Sequence, residues 1–156
     1  QTLFTEEDVG NHKVVAAQKH LLRIADAHVE LREERFVQSS QAQGADIILD
    51  CTDNIPSRKI INQASKDMSI PWVHAAVIEQ YGEVMAIAPG SKDYDHLVES
   101  KVAEQECSEQ GVLAPAVAMT SSLQVSLALR LLTSSAPVDC VFRINAWEGR
   151  IDRLEL

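Results

Sequence analysis

The feature that most constrains the fold is a short apolar run with polar groups at its carboxyl end. Residues 47–49, Ile-Ile-Leu, do not alternate with polar residues, as expected for a strand that is covered on both faces of a parallel sheet. The sequence DCTDN follows at residues 50–54. Because ligands of open parallel sheets bind at the carboxyl edge, this stretch predicts a nucleotide or metal site. The alternative is that Asp53 or Asn54 caps a helix that Pro56 helps to begin.

Composition and charge narrow the class of protein. The 156 residues are 46% hydrophobic, which is enough for one domain with a sizeable core. The 23 acidic residues against 14 basic ones give a net charge of −9, which argues against a nucleic acid partner. With no apolar run of membrane-spanning length and no leader pattern, we expect a cytoplasmic protein without a membrane partner. Because the chain begins with Gln1 rather than Met, we expect an internal piece or a processed product.

Helices and strands are predicted from hydrophobic spacing. Apolar residues recur at intervals of three and four over residues 13–25, which predicts a helix, and residues 28–32 alternate as a short strand. The buried strand at 47–51 leads into a helix over 56–68. Further strands are predicted at 71–77 and, after a Tyr81-Gly82 turn, at 83–88.

The order of these elements predicts the fold class. Strand, helix and strand with short connections indicate an α/β fold, namely a Rossmann-like, doubly wound and mainly parallel sheet. Residues 113–132 are apolar on most faces and predict a central helix or an oligomer contact, accessible to little solvent. Residues 140–146 and 150–156 predict a closing antiparallel hairpin. We expect residues 1–156 to be a single domain with a mobile acidic loop at about 90–110.

Several motifs in one order carry a family resemblance. They are QTLFTEEDVG at residues 1–10 followed by Lys13, DCTDN with Arg58 and Asn62, IPWV at 70–73, and GVLAPAV at 111–117 leading into SLQ. On these residues the chain resembles the ThiF/MoeB/HesA family, relatives of the ubiquitin-activating enzymes.

The resemblance implies ATP-dependent adenylylation of the C-terminal carboxylate of a ubiquitin-like sulfur-carrier protein, in thiamine, molybdopterin or related sulfur-transfer metabolism. The alternative is a non-catalytic relative that serves as a carrier-binding subunit or scaffold. An NAD-dependent oxidoreductase is disfavoured because the sequence contains no dinucleotide-binding fingerprint.

The resemblance also assigns roles to residues. A carboxylate that attacks the α-phosphate of ATP needs a cation and a metal ion to offset the charge of both reactants. Lys13 resembles the family lysine that contacts the ATP phosphates, and Asp53 resembles the aspartate associated with Mg²⁺, with Asp50 as its competitor. Gln1 stands where the family has a glutamine after an ATP-binding arginine.

Other candidates are weaker. Asn54 and Arg58 are further nucleotide-binding candidates, although Arg58 and Asn62 fit a surface hydrogen-bonded pair equally well. Cys107 lies where several family members keep a cysteine that forms a thioester or persulfide, which makes it a catalytic candidate. The neighbouring glutamates oppose the lowered thiol pKa that this role requires. The remaining cysteines, Cys51 and Cys140, are expected to be buried and inert.

The sequence also departs from the family. Many members bind zinc through two pairs of cysteines, and neither pair is present, so no zinc is predicted. The glycine-rich phosphate turn and the first strands of the family fold do not precede Gln1. We therefore expect the N-terminal strands to be missing from this chain. Either a second polypeptide supplies them, or the chain is a fragment of a longer protein, or the fold differs from the one inferred. The apolar helix at 113–132 makes a homodimer the expected assembly.

Overall fold

A computed structural model describes residues 3–91, 94–99, 111–134 and 139–155. The chain forms two compact units, Gln1–Arg35 and Phe36–Leu156. The predicted loop at 90–110 contains one short helix, α3 (Tyr94–Glu99), and residues 92–93 and 100–110, with Cys107, lie outside the described part.

The first unit holds a 3-10 turn, Glu6–Asp8, and helix α1 (Lys13–Ile24). Asp8 accepts hydrogen bonds from the backbone N–H of Thr5 at 2.8 Å and from its hydroxyl at 3.0 Å, which closes the turn before α1. The helix predicted at 13–25 is confirmed. The strand predicted at 28–32 is wrong, because these described residues find no partner strand for their backbone groups. The carbonyl of Val29 accepts instead from the Gln18 side chain at 2.9 Å.

The second unit is a five-stranded sheet with helices on both faces. The order across the sheet follows the chain, from β1 to β5. The strands are β1 (Ile48–Leu49), β2 (Trp72–Ile78), β3 (Tyr81–Ile87), β4 (Cys140–Asn145) and β5 (Arg150–Glu155), and the remaining helices are α2 (Ile55–Met68) and α4 (Ala114–Thr133). These positions confirm the two helices, the closing hairpin and the predicted strands other than 28–32, but the turn predicted at Tyr81-Gly82 lies inside β3. β1 is shorter than the strand predicted at 47–51, and it is not covered on both faces, because Leu49 is 41% exposed.

The α/β class is confirmed, but the sheet of the described residues is mixed rather than mainly parallel. β1 and β2 pair in parallel, whereas the next three pairs are antiparallel. The reason is the short connection between β2 and β3, in which Ile78 pairs with Tyr81 and only Glu79 and Gln80 lie between. A two-residue loop joins antiparallel neighbours only, since a parallel pair needs a crossover.

Two clusters of apolar residues fill the opposite faces of the sheet. On one face α4 packs through Leu127 and Ala128 against Val73 and Val84. On the other face α2 and α3 pack through Ile61, Tyr94 and Leu97 against a second cluster that includes Trp72 and Met85. The two-sided cover explains why the strands near the middle of the sheet read as continuous apolar runs.

Helix α4 is covered on one face only. Leu127 is 5% exposed, whereas Leu129 is 58% exposed and Val125 and Leu132 are similarly open. The prediction that solvent touches little of this helix is therefore wrong for the described chain. With 20 residues and a mean hydropathy of 1.3, α4 meets the length and composition of a membrane span, contrary to the sequence-based expectation. Core helices can have the same length and composition as a membrane span. The packing of α4 against β2 and β3 is that of a core helix.

Candidate functional site

The carboxyl end of β1 carries a buried carboxylate that accepts four hydrogen bonds. Asp50 is 1% exposed. Its Oδ1 accepts from the backbone N–H of Thr52 at 2.9 Å and from the Thr52 hydroxyl at 2.6 Å. Its Oδ2 accepts from Nε of Arg58 at 3.2 Å and lies 3.0 Å from Nδ1 of His74. Both oxygens are therefore engaged within the protein, which makes Asp50 a poor candidate for a metal ligand.

The same side chains hold the backbone of Thr52 at both its N–H and its carbonyl. While Asp50 binds its N–H and hydroxyl, the guanidinium of Arg58 donates to the Thr52 carbonyl at 2.9 Å. We call Asp50, Thr52 and Arg58 the Thr52 clamp. Since Asp53 is the next residue, the clamp holds the backbone directly before it.

His74 lies in the middle of β2 and is fully buried, on the face that α2 and α3 cover. Its Nε2 faces Oε1 of Glu83 on β3 at 3.8 Å, which is too long for a hydrogen bond but close enough for the charges to attract. Glu83 in turn accepts from Nε of Arg143 on β4 at 3.3 Å. A line of alternating charges therefore crosses the sheet from Asp50 to the partly exposed Arg143.

The charges of this line decide the ionisation of its members. Burial lowers the pKa of His74, but the carboxylates of Asp50 and Glu83 outweigh it and the net change is upward from 6.5. Burial also disfavours the charged form of Asp50, which raises its pKa. The hydrogen bond and charge of His74 and the hydrogen bonds from Thr52 outweigh this effect and hold the pKa of Asp50 below 3.8. At a pH below the raised pKa of His74, the pair is an imidazolium beside a carboxylate. Because an ionised carboxylate only accepts hydrogen bonds, Nδ1 of His74 carries a proton and donates it to Asp50.

The sequence left open whether Asp53 or Asn54 caps α2, and the structure assigns the cap to Asn54. Asn54 is the cap of α2, because its Oδ1 accepts from the backbone N–H of Ser57 at 2.9 Å. Its Nδ2 donates to Oδ1 of Asp53 at 3.0 Å. Asp53 is exposed beyond the carboxyl end of β1. The side chain predicted to ligate Mg²⁺ is therefore accessible and is not the helix cap.

Arg58 and Asn62 do not form a surface pair. Both are buried, at 4% and 3% exposure, because they lie on the face of α2 that packs inward. Arg58 belongs to the Thr52 clamp, and Nδ2 of Asn62 donates to Asp95 of α3 at 3.1 Å. The surface-pair interpretation is wrong, and a contact of Arg58 with nucleotide stays a prediction.

In the first unit, Lys13 is the exposed first residue of α1 and lines a cleft of about 570 Å³. Phe4, Asp8 and Asn11 also line this cleft. Hydrogen bonds from the Thr5 backbone and from His20, 2.8 Å away, lower the pKa of Asp8 to about 2 from 3.8. The charge of Asp8 is thus engaged by its own neighbours, and the ammonium of Lys13 is the cation that faces the cleft. Gln1, predicted to bind the same nucleotide, lies outside the described residues.

The cysteines differ from expectation in one respect. Cys140 is buried, as predicted, whereas Cys51 is exposed beside Asp50. Partial desolvation and the negative charge of Asp50 raise the pKa of the Cys51 thiol. An elevated pKa disfavours the thiolate, so the exposure of Cys51 does not make it a nucleophile.

The donor set fits a metal ion that arrives with nucleotide. The described residues contain no cluster of three or more His, Cys, Asp or Glu side chains able to hold an ion by themselves. Mg²⁺ requires no such cluster, because it is commonly bound by one or two carboxylates together with phosphate oxygens and water. An exposed carboxylate such as Asp53 meets that requirement.

Sequence reasoning missed His74. A histidine inside an otherwise apolar strand must find a partner when it is buried, and an acid at the end of the neighbouring strand is such a partner. That signal was present in the pattern Trp-Val-His-Ala at residues 72–75 and in Asp50. Gln124 of α4 was also missed as a connector, although its amide donates to the carbonyls of Asp50 at 2.8 Å and Val73 at 3.0 Å.

A family model and curated relatives match most of this chain. The model of the ThiF family matches residues 1–156. The sulfur carrier protein ThiS adenylyltransferase of Bacillus subtilis is 30% identical over 96% of this chain and 47% of its own length. The molybdopterin-synthase adenylyltransferase of Salmonella typhimurium is 29% identical over 85% of this chain and 56% of its own. The chain thus spans about half the length of these relatives.

A solved structure shares the fold. The crystal structure of Escherichia coli MccB with ATP superposes with a TM-score of 0.75 at 17% identity and covers 99% of this chain and 51% of that one. At this identity the likeness concerns the arrangement of helices and strands.

Proposed function

This chain belongs to the ThiF family, and on that premise we propose that it takes part in the ATP-dependent adenylylation of a ubiquitin-like sulfur-carrier protein. The observation that carries the proposal is the exposed carboxylate of Asp53, mounted by the Thr52 clamp beyond the carboxyl end of β1. This edge of a parallel strand pair is where α/β folds bind nucleotides. The names of the matched relatives support the reaction class.

In the proposed reaction, Lys13 and Asp53 have separate electrostatic roles. The carrier's C-terminal carboxylate attacks the α-phosphate of ATP, pyrophosphate leaves, and a mixed carboxylic–phosphoric anhydride forms. Lys13 offsets negative charge on the phosphates as a compact ammonium. Asp53 ligates Mg²⁺, which when bound would offset the charge of the phosphate oxygens. Positioning and electrostatics carry such a transfer, so no protein nucleophile is needed.

ATP–pyrophosphate exchange with full-length protein and a purified carrier tests the proposal. We expect exchange that depends on both the carrier and Mg²⁺. Asp53→Asn should lower it by about two orders of magnitude, since one well-placed electrostatic group is worth that much in a transition state. Asp46→Asn is the matched control, because Asp46 is also exposed but precedes β1 at the opposite end. Equal effects of the two substitutions would contradict the metal assignment.

Lys13 has its own control on the same helix. Lys13→Ala should raise the KM for ATP and lower exchange, whereas Lys19→Ala, which also removes an exposed lysine from α1, should change neither. If the wild-type protein binds the carrier but shows no exchange, the chain is a carrier-binding subunit and the enzymatic proposal is wrong.

A further inference from the structure

The Asp50–His74 contact links the middle of β2 to the edge that carries Asp53. His74 is fully buried, and its Nδ1 lies 3.0 Å from Oδ2 of Asp50. A buried polar side chain in an apolar strand costs free energy unless its partner is well placed. The contact therefore constrains both groups.

The orientation of Asp50 is what the contact fixes. A carboxylate that turns about its last bond exchanges the positions of its two oxygens. Here Oδ2 is held by His74 and Arg58, so Oδ1 is left facing the N–H and hydroxyl of Thr52 at 2.9 and 2.6 Å. Losing the imidazole donor removes one of the two groups that hold Oδ2. In the Thr52 clamp, Oδ2 of Asp50 is then held by Arg58 alone, and the carboxylate is less firmly oriented.

Groups from four elements hold the imidazole itself. Asp50 follows β1 and Glu83 lies on β3, at 3.0 and 3.8 Å from the two ring nitrogens. The ring of Tyr94 on α3 packs against it with a centroid distance of 5.1 Å, and that of Trp72 on β2 lies at 6.0 Å. A ring enclosed in this way has little freedom to rotate.

We propose that His74 is a positioning residue of this site: its imidazole holds Asp50 in the orientation that fixes Thr52, and thereby fixes where Asp53 projects to meet a metal–nucleotide complex. The inference rests on the proposed function for the role of Asp53, and on geometry alone for the link from His74 to Thr52. His74 itself touches neither nucleotide nor metal in this proposal.

Amide hydrogen exchange on the full-length protein, without nucleotide or metal, tests the geometric link. The N–H of Thr52 is protected by its bond to Asp50. In His74→Leu, which keeps a similar volume but removes the donor, exchange of this amide should quicken about tenfold or more because its acceptor is no longer fixed. His74→Asn places an amide donor near the position of Nδ1 and should restore most of the protection. Unchanged protection in His74→Leu would overturn the inference.

Metal activation of pyrophosphate exchange tests the consequence for the site. The Mg²⁺ concentration that gives half-maximal exchange should rise about tenfold in His74→Leu, while the rate at saturating Mg²⁺ changes by less than about threefold. In an Asp53→Asn background, His74→Leu should add no further loss, since a residue that acts through Asp53 has nothing left to act on. An additive loss would show a general structural effect and overturn the inference.

Two further variants separate positioning from instability. Ile144→Ala removes a buried side chain from the opposite face of the sheet, so it destabilises the protein without touching the clamp and should leave the Mg²⁺ midpoint unchanged. If His74→Leu does not fold, Thr52→Val removes the hydroxyl that donates to Asp50 and should raise the midpoint in the same direction. An unchanged midpoint in Thr52→Val would contradict the proposal. Should the wild type show no exchange, the proposed function fails, and amide exchange still decides whether His74 holds the clamp.

Discussion

Asn54 bonds in two directions, with its oxygen to the start of α2 and its nitrogen to Asp53. The two bonds serve different purposes and can be separated by substitution. The first satisfies a backbone donor that a helix leaves unpaired, and the second steadies the side chain proposed to meet the metal. A single residue of the DCTDN motif thus contributes to both the stability of α2 and the placement of Asp53.

At the residue scale, Asn54→Ala should lower the free energy of unfolding by about 1 kcal/mol, because the N–H of Ser57 loses its acceptor. Asn54→Ser keeps an acceptor oxygen at the cap without adding a charge beside Asp53, so it should cost less. Urea denaturation followed by far-UV circular dichroism measures both. If the two variants lose the same stability, Asn54 does not act as the cap.

At the scale of elements, the close approach of β3 to α4 depends on one glycine. A Cβ built on Gly82 would lie 2.0 Å from Oγ1 of Thr120 and 3.2 Å from its Cβ. Gly82→Ala should therefore cost about 1–3 kcal/mol through overpacking. Adding Thr120→Ala removes the nearest atom and should recover part of the loss. Gly111→Ala is the control, since no atom of the described residues lies within 4 Å of its Cβ position.

The covered face of α4 makes a second prediction at this scale. Leu127→Ala should cost about 2–5 kcal/mol, because it opens a cavity in the cluster between α4 and the sheet. Leu129→Ala, two residues further on and exposed, should change the free energy of unfolding by less than about 1 kcal/mol. Equal losses in thermal and urea denaturation would show that a partner covers the exposed face of α4 in solution.

A comparison of the observed elements with the predicted ones shows which parts of the fold can be predicted from the sequence. Hydrophobic spacing located α1, α2, α4 and the strands of the sheet, because burial of apolar side chains gives a regular spacing in the sequence, but it also predicted a strand at 28–32 that does not form. Gly82 was misplaced, since it was predicted in a turn where glycine is common. Its actual role is to admit Thr120, and a contact between residues this far apart in the chain leaves no local trace. The antiparallel direction of β3 follows from a turn at Glu79-Gln80 that contains no glycine or proline to mark it.

Only part of the candidate site could be predicted from the sequence. Asp53 was selected because it follows an apolar run, and the end of such a run is visible in sequence; its role stays a prediction. The Thr52 clamp was not, because the partners of Asp50 come from α2 and β2, up to 24 residues away, and only the fold brings them together. The surface-pair alternative for Arg58 was left open for the same reason, since charged residues are usually exposed and its buried partner was unknown.

At the scale of the whole molecule, the buried charges make stability depend on pH. The net charge is −9, yet the interior of the second unit contains an ion pair between Asp50 and His74. The carboxylates beside His74 outweigh its burial and raise its pKa above 6.5. Below about 6.5 both folded and unfolded chains hold this proton, and the pair contributes its full stabilisation. As the pH rises above 6.5 the unfolded chain loses the proton first, so the stabilisation declines until the folded group titrates as well.

We therefore expect the free energy of unfolding to fall as the pH rises above 6.5, until the folded group also titrates, with a slope of at most about 1.4 kcal/mol per pH unit from this one proton. His74→Asn removes the titrating group and should flatten that part of the profile, although it lowers stability at pH 6. Urea titrations at half-unit steps of pH measure the slope. His28→Asn, which removes an exposed imidazole from the first unit, controls for the loss of a histidine. A profile that stays as steep in His74→Asn as in the wild type would place the pH dependence elsewhere and contradict an imidazolium at the centre of the sheet.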